Sequence, residues 1–123
     1  MSCIFCQIEP TRIITENDLS FAIYDGYPVT KYHSLVIPKR HAETYFDLTA
    51  EEREACHQLM VEMRSKIQSE DSTVDGFNVG MNSGASAGQT VFHCHVHLIP
   101  RRTGDMENPR GGVRGVIPDM QQY

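Results

Sequence analysis

His93-Cys94-His95-Val96-His97-Leu98-Ile99-Pro100-Arg101 sets three histidines at every second position with small or apolar residues between them. In an extended strand successive side chains point to opposite faces, so this spacing gathers the imidazoles of His93, His95 and His97 on one face. Cys94, Val96 and Leu98 are left for the other. On a helix, residues two apart point roughly 200° away from each other and the rings would scatter. The stretch therefore predicts a strand over Val91 to Ile99 that presents three imidazoles as one surface.

The neighbouring sequence supplies the rest of a sheet. Phe77 to Asn82 reads as a further strand, joined to the histidines by the small-residue loop Ser83-Gly84-Ala85-Ser86-Ala87-Gly88. Upstream, Leu19 to Asp25 and Ser34 to Ile37 are short β-branched and aromatic runs separated by Gly26, Pro28 and Lys31, which reads as a hairpin or meander. Between these pairs, Thr49 with Glu52 three residues later spells a capping box. Cys56, Met60, Met63 and Ile67 follow at helical spacing, which predicts one amphipathic helix over about 49 to 69. Beyond Pro100 the density of glycine and proline predicts an ordered tail, about 103–123, without regular elements. No repeat or linker interrupts the chain, so residues 1–123 read as one α+β domain.

Composition narrows the function classes. A chain of 123 residues builds one core with a large surface share, which favours a homodimer. Eleven basic against sixteen acidic residues give a formal charge of −5, which argues against a general grip on nucleic acid. No apolar run approaches the ~20 residues of a membrane span, and the opening from Met1 to Cys6 lacks the zones of a signal peptide. A cytoplasmic protein is expected. In that setting its four cysteines read as thiols or metal ligands rather than disulfides.

Imidazole is neutral and nucleophilic near neutral pH yet protonates readily, so three together suit proton traffic or attack on an electrophile such as phosphorus. Gly84 and Gly88 let the preceding loop bring backbone N–H groups to an anion, and Asn82, Gln89 and Thr90 add neutral donors. The alternatives are a metal site made by the triad itself, or histidines that only satisfy structural hydrogen bonds. Cys3 and Cys6 form a C-x-x-C pair able to hold half of a tetrahedral zinc site, with His41 and His93 as candidate third and fourth ligands. A redox pair and two plain small residues remain open. Cys56 and Cys94 read as core or helix-face residues.

With these residues assembled, the chain resembles the histidine-triad (HIT) superfamily, whose signature of alternating histidine and apolar residues His93 to Ile99 fits at every position. The resemblance extends over His33-Ser34-Leu35-Val36-Ile37-Pro38-Lys39-Arg40-His41, the capped helix and Asn82 to Gln89. It implies a HIT-like fold: about five antiparallel strands, one long helix, a short N-terminal helix, and a homodimer. It also implies a nucleotidyl hydrolase or transferase that cleaves at the α-phosphate through a covalent nucleotidyl-histidine. His95 matches the nucleophile, His97 the residue on phosphate and leaving group, His93 an ordering residue, and His33 a supporting fourth histidine. Asp25 matches the position that binds ribose hydroxyls; Asn82, Gln89, Thr90 and His97 match phosphate contacts. Phe5, Ile8, Phe21 and Ile23 would line the base pocket. Cys3, Cys6, His41 and His93 match a structural zinc site of bacterial relatives.

The chain departs from the family pattern at Tyr32, where a glycine is usual before the fourth histidine. Its tail, Pro109 to Pro118, resembles that of members grouped with dinucleoside polyphosphate hydrolases. Arg101, Arg102, Arg110 and Arg114 could meet the extra phosphates of a substrate such as diadenosine tetraphosphate. The competing readings are a Hint-type nucleoside phosphoramidase, a nucleotide-binding or zinc-stabilised scaffold whose hydrolysis is incidental, and a catalytic zinc hydrolase.

Overall fold

A computed structural model describes residues 3–123; Met1 and Ser2, part of the opening read above for a leader, lie outside the described residues. Five antiparallel strands form one sheet: β1 (Thr15–Glu16), β2 (Ser20–Tyr24), β3 (Ser34–Pro38), β4 (Val74–Gly80) and β5 (Val96–Arg102), in spatial order β1-β2-β3-β5-β4. One long helix, α1 (Ala50–Glu70), covers one face. A single 3₁₀ turn, Pro10–Arg12, is the short helix near the N-terminus. This is the expected HIT-like α+β architecture.

The helix starts where its cap residues dictate. Thr49 Oγ1 accepts from the Glu52 N–H at 3.1 Å and Glu52 Oε1 accepts from the Thr49 N–H at 2.8 Å. The inward stripe runs through Glu52, Ala55, Cys56, Leu59, Met63 and Ile67. Met60, expected on that stripe, is half-buried, because the 3.6-residue period carries Leu59 rather than its neighbour onto the centre of the face. Leu59, Met63 and Ile67 pack on Ala22, Val36, Val74 and Leu98 of the sheet. Glu52 is buried beside the Arg40 guanidinium, which binds it through Nε at 2.9 Å and Nη2 at 2.8 Å. These bonds hold its carboxyl far below the usual range, at about 2. Removing the cap hydroxyl with Thr49→Ala is expected to cost about 1 kcal/mol in urea unfolding.

The triad strand differs from its sequence reading at both ends. β5 begins at Val96 rather than Val91, because the ladder with β3 pairs Val36 with Val96 and then meets Pro38, which has no N–H to donate. The Pro38 carbonyl is instead taken by the His93 ring at 2.8 Å. At the other end β5 continues through Pro100 to Arg102. By then β3 has ended, so the missing N–H of Pro100 leaves no β3 acceptor waiting, while its carbonyl accepts from Thr30 Oγ1 at 2.7 Å. The extension gives β4 partners from Arg102 to His97, so β4 spans Val74–Gly80 rather than Phe77 to Asn82. β1, two residues long, carries no readable alternation. The tail holds two short 3₁₀ helices, Gly112–Val116 and Pro118–Met120, where irregular chain was expected.

Tyr32 has φ +73°, so the tyrosine adopts the left-handed conformation that a glycine would take there. Its ring lies 5.6 Å from that of Tyr24, and its carbonyl accepts from Ser34 Oγ at 2.7 Å. Packing and this bond offset the backbone strain and leave the turn into His33 intact.

Candidate active site

The face of the sheet opposite α1 collects the histidines. Alternation survives although only His97 lies in the regular strand: Leu98 packs with the helix, while His95 and His97 sit side by side with ring centroids 5.3 Å apart. Phe5 wedges against both His93, at 6.0 Å between centroids, and His95, at 4.9 Å.

Hydrogen-bond partners assign the tautomer of each ring. His95 Nδ1 lies 2.8 Å from the His93 backbone carbonyl, which only accepts, so Nδ1 carries the proton and Nε2 a free lone pair. The Val29 N–H donates to His33 Nδ1 at 3.0 Å, placing the His33 proton on Nε2. That Nε2–H donates to His97 Nδ1 at 2.9 Å, so His97 in turn carries its proton on Nε2. The pair His95 and His97 thus offers one bare ring nitrogen and one N–H donor side by side. Asp25 Oδ2 stands 3.4 Å from His33 Nε2 and 3.9 Å from His97 Nδ1, and Asp25 Oδ1 accepts from the Tyr27 N–H at 2.8 Å.

Burial favours the neutral forms of His33 and His97. Desolvation, with the neighbouring His95 and His33, lowers the His97 pKa to about 4 against a raising effect of Asp25. Desolvation likewise lowers His33, partly opposed by Asp25. An unfolded histidine binds its proton near 6.5 and native His97 only near 4, so between those values the unfolded state holds more protons. Stability therefore falls as pH drops through that window, by on the order of 3 kcal/mol for His97 alone. Thermal unfolding at pH 7 and pH 4.5 is expected to show a larger loss for the wild type than for His97→Asn.

His93 belongs to a second cluster. Its Nε2–H donates to the Pro38 carbonyl, which leaves the Nδ1 lone pair facing Cys3 Sγ at 3.4 Å and Cys6 Sγ at 3.5 Å; Cys6 Sγ is also 3.4 Å from His41 Nδ1. The four donor atoms lie within 4.8 Å of one another. A tetrahedron with metal–sulfur bonds of ~2.3 Å and metal–nitrogen bonds of ~2.0–2.1 Å has sulfur-to-nitrogen edges of ~3.5 Å. The thiols and rings are thus spaced as a tetrahedral ligand set. The other donor group, Asp25 with His33 and His97, shares no member with it. Among the described residues no donor cluster gathers all three triad histidines: His93 stands in one group, His97 in the other and His95 in neither.

Several sequence expectations change here. Gln89 is buried and its side chain is fully engaged: Oε1 accepts from the Gly84 N–H at 2.8 Å, and Nε2 donates to the carbonyls of Glu43 at 2.7 Å and Val91 at 3.1 Å. It braces the glycine loop, whose Gly84 and Gly88 have φ +97° and +93°, instead of offering its amide to a ligand. Asn82 is half-buried near the triad and Thr90 is exposed. Phe5, Phe21 and Ile23 are buried with Leu35 and Ile37, and the partly buried Ile8 packs against them, so the expected base-pocket residues form one apolar cluster beside His95.

The four arginines are also engaged. Arg101 binds Asp105 through two nitrogens, at 2.9 and 2.8 Å, and Asn78 Oδ1 at 2.7 Å. Arg102 binds Asp71 at 3.0 Å and the Lys31 carbonyl at 3.1 Å. Arg110 and Arg114 lie over the Tyr123 ring, at 4.3 and 5.1 Å from its centroid. Arg101 and Arg102 are thus paired with carboxylates, whereas Arg110 and Arg114 keep their charge over an aromatic ring. Cys56 and Cys94 are buried, and desolvation raises their thiols to about 11 and about 12, which leaves them inert. No helix among the described residues is long and apolar enough to cross a membrane.

Comparison with known proteins gives the same picture. Residues 7–104 match the HIT domain model. The chain is 38% identical over 104 residues to the protein hit of Bacillus subtilis, covering 81% of this chain and 71% of that protein. It is 35% identical over 113 residues to adenylylsulfatase HINT3 of Arabidopsis thaliana, covering 84% of this chain and 54% of the relative. Among solved structures, a Zn-bound histidine triad family protein from Mycobacterium smegmatis superposes with a TM-score of 0.78 at 36% identity, covering 88% of this chain and 81% of the other.

Proposed function

Because this chain belongs to the HIT domain family, we propose that it is a nucleotidyl hydrolase in which His95 Nε2 attacks the α-phosphorus of a nucleoside 5′-phosphoryl compound. The observation that carries this reading is the bond from His95 Nδ1–H to the His93 carbonyl, which leaves Nε2 unprotonated and turns the carbonyl dipole toward the ring. As the phosphorus–nitrogen bond forms, the bond to the leaving group breaks and its electron pair departs with that group. The ring becomes a cationic nucleotidyl-imidazolium, stabilised by the same carbonyl. His97 Nε2–H donates to phosphate or to the leaving atom, and the departing group takes its proton from solvent. Water then attacks phosphorus and loses a proton to solvent, the phosphorus–nitrogen electron pair returns to His95 Nε2, and a nucleoside monophosphate leaves with neutral His95 restored.

His33 and His93 act as positioning residues, the first by setting the His97 tautomer and the second by holding His95. Asp25 retains acceptor capacity for ribose hydroxyls, and Asn82, Thr90 and the backbone of the glycine loop supply phosphate donors. Cys3, Cys6, His41 and His93 would hold a structural zinc ion, which supplies no step of the reaction and ties the N-terminal segment to the triad. The Zn-bound M. smegmatis relative and the ligand spacing support this. Reduced thiols of that kind suit a cytoplasmic setting, and the half-exposed outer side of α1 and β4, with Val61, Phe77 and Val79, suits a homodimer contact.

The reaction is tested by quenching the protein with a radiolabelled adenosine 5′-phosphoramidate in acid-free denaturant and digesting it. An acid-labile adenylyl group on the peptide carrying His95 supports covalent catalysis. Turnover with no labelled peptide, under conditions where label is recovered from a chemically phosphorylated histidine standard, would overturn it.

A further inference from the structure

We propose that Cys3 and Cys6 are a modification site: a hydroperoxide oxidises them to a disulfide, and the disulfide and the metal-bound pair exclude each other. Release of metal rests on zinc occupying the set Cys3, Cys6, His41 and His93, whereas formation of the disulfide does not.

The backbone brings the two residues into bonding range. The Cys6 N–H donates to the Cys3 carbonyl at 3.1 Å, so Cys3-Ile4-Phe5-Cys6 closes as a tight turn. Residues at the ends of such a turn have Cα atoms less than ~7 Å apart, and a disulfide spans Cα separations of ~4.4–6.8 Å. The two sulfurs share the His93 ring as a neighbour, at 3.4 and 3.5 Å from its Nδ1, and lie within 4.8 Å of each other. Phe5 fixes the turn from inside. Its ring is buried with Phe21, Ile23, Leu35 and Ile37 and meets the rings of His93 and His95. Packing therefore holds the turn, and the thiols remain neighbours whether or not their lone pairs hold a metal.

Exposure separates this pair from the other thiols. Cys6 is exposed and Cys3 half-buried, while Cys56 and Cys94 are buried. An oxidant dissolved in water meets Cys6 first. Cys6 Sγ attacks one oxygen of hydrogen peroxide, the O–O bond breaks, and the departing hydroxide takes the thiol proton as water. Cys3 Sγ then displaces hydroxide from the sulfenic sulfur, forming the S–S bond, and that hydroxide takes the Cys3 proton. Two thiols are oxidised, one peroxide is reduced, and two waters leave.

A metal and a disulfide require different spacings. Tetrahedral metal–sulfur bonds of ~2.3 Å hold two sulfurs ~3.8 Å apart, whereas a disulfide holds them at ~2.05 Å. Joined sulfurs have also lost the thiolate charge that binds zinc. Oxidation removes two of four ligands at once, and His41 with His93 is only half of a tetrahedral site.

The test exposes two samples of folded protein to hydrogen peroxide, one loaded with zinc and one stripped by chelator, then alkylates the remaining thiols in denaturant and maps the peptides. Both samples are expected to give a peptide carrying Cys3 and Cys6 that is lighter by two hydrogens. Loss of these thiols should run at least about tenfold faster than loss of Cys56 and Cys94, which react only when the fold opens. In the loaded sample a chromophoric chelator should record one zinc released per disulfide, and dithiothreitol with added zinc should restore both thiols and metal. A disulfide that forms in protein unable to take up zinc would support the modification site and count against the zinc ligand set. Unoxidised Cys3 and Cys6, oxidation that stops at a sulfinic acid on Cys6, or zinc retained in full beside the disulfide would overturn the proposal.

Discussion

His95→Ala lowers kcat for nucleotide release by about 10⁴-fold or more while the fold and the affinity for a nucleoside monophosphate persist. The expected size follows from what is removed: a covalent nucleophile that acts as a unit with its positioning groups, whose deletion leaves only binding and phosphate donors. The ring is half-buried and its Nδ1 proton serves the His93 carbonyl, so truncation costs one neutral hydrogen bond in the native state. Product chromatography of wild type and variant in parallel checks this. A variant within tenfold of wild type would remove His95 from the reaction and favour a binding module with incidental hydrolysis. His33→Ala should fall between these limits, because it disturbs the His97 tautomer through the 2.9 Å contact and leaves the nucleophile in place.

Replacing Cys3 and Cys6 together by serine is expected to abolish zinc retention and to lower the unfolding temperature by on the order of 10 °C at ample zinc. A ligand bound only by the native state stabilises it by about 4 kcal/mol when present at 1,000 times its dissociation constant, and a domain of this size shifts by several degrees per kcal/mol. Chelation of the wild type should reproduce the loss, and the double variant should not respond to chelator. Elemental analysis finding no metal in protein purified without chelator, or equal unfolding temperatures with and without it, would refute the zinc site. The label on His95 should still form in the chelated, folded protein. Its loss would mean that metal enters the chemistry rather than the scaffold.

Much of the site was legible because it depends on local rules. A period of two put His93, His95 and His97 on one side, and the capping box identified Thr49 as the N-cap of α1, which runs Ala50–Glu70 where about 49 to 69 was expected. What escaped was decided by partners that only the folded backbone brings together, some near in the chain and some distant. Gln89 is a donor in the sequence, but the carbonyls of Glu43 and Val91 consume its amide. Arg101 is a cation in the sequence, but Asp105 and Asn78 surround it. Strand ends were missed for a similar reason: Pro38 ends the pairing of β5 only because it lies opposite Cys94, a register that no stretch of chain states by itself.

The sequence by itself determined the sheet-and-helix class and the side of the sheet on which the imidazoles stand, which follow from residue type and spacing within short segments, and its resemblance pointed to the family. Only the tertiary structure decided which nitrogen of each ring is free and which arginines are already paired. Some of the partners are near in the chain, such as the His93 carbonyl for His95 and Asp105 for Arg101, and others arrive from distant segments, such as Pro38 for His93 and His33 for His97, but all are chosen by the backbone path of the fold. A proton's position on a histidine is a property of its neighbours, and the fold chooses the neighbours.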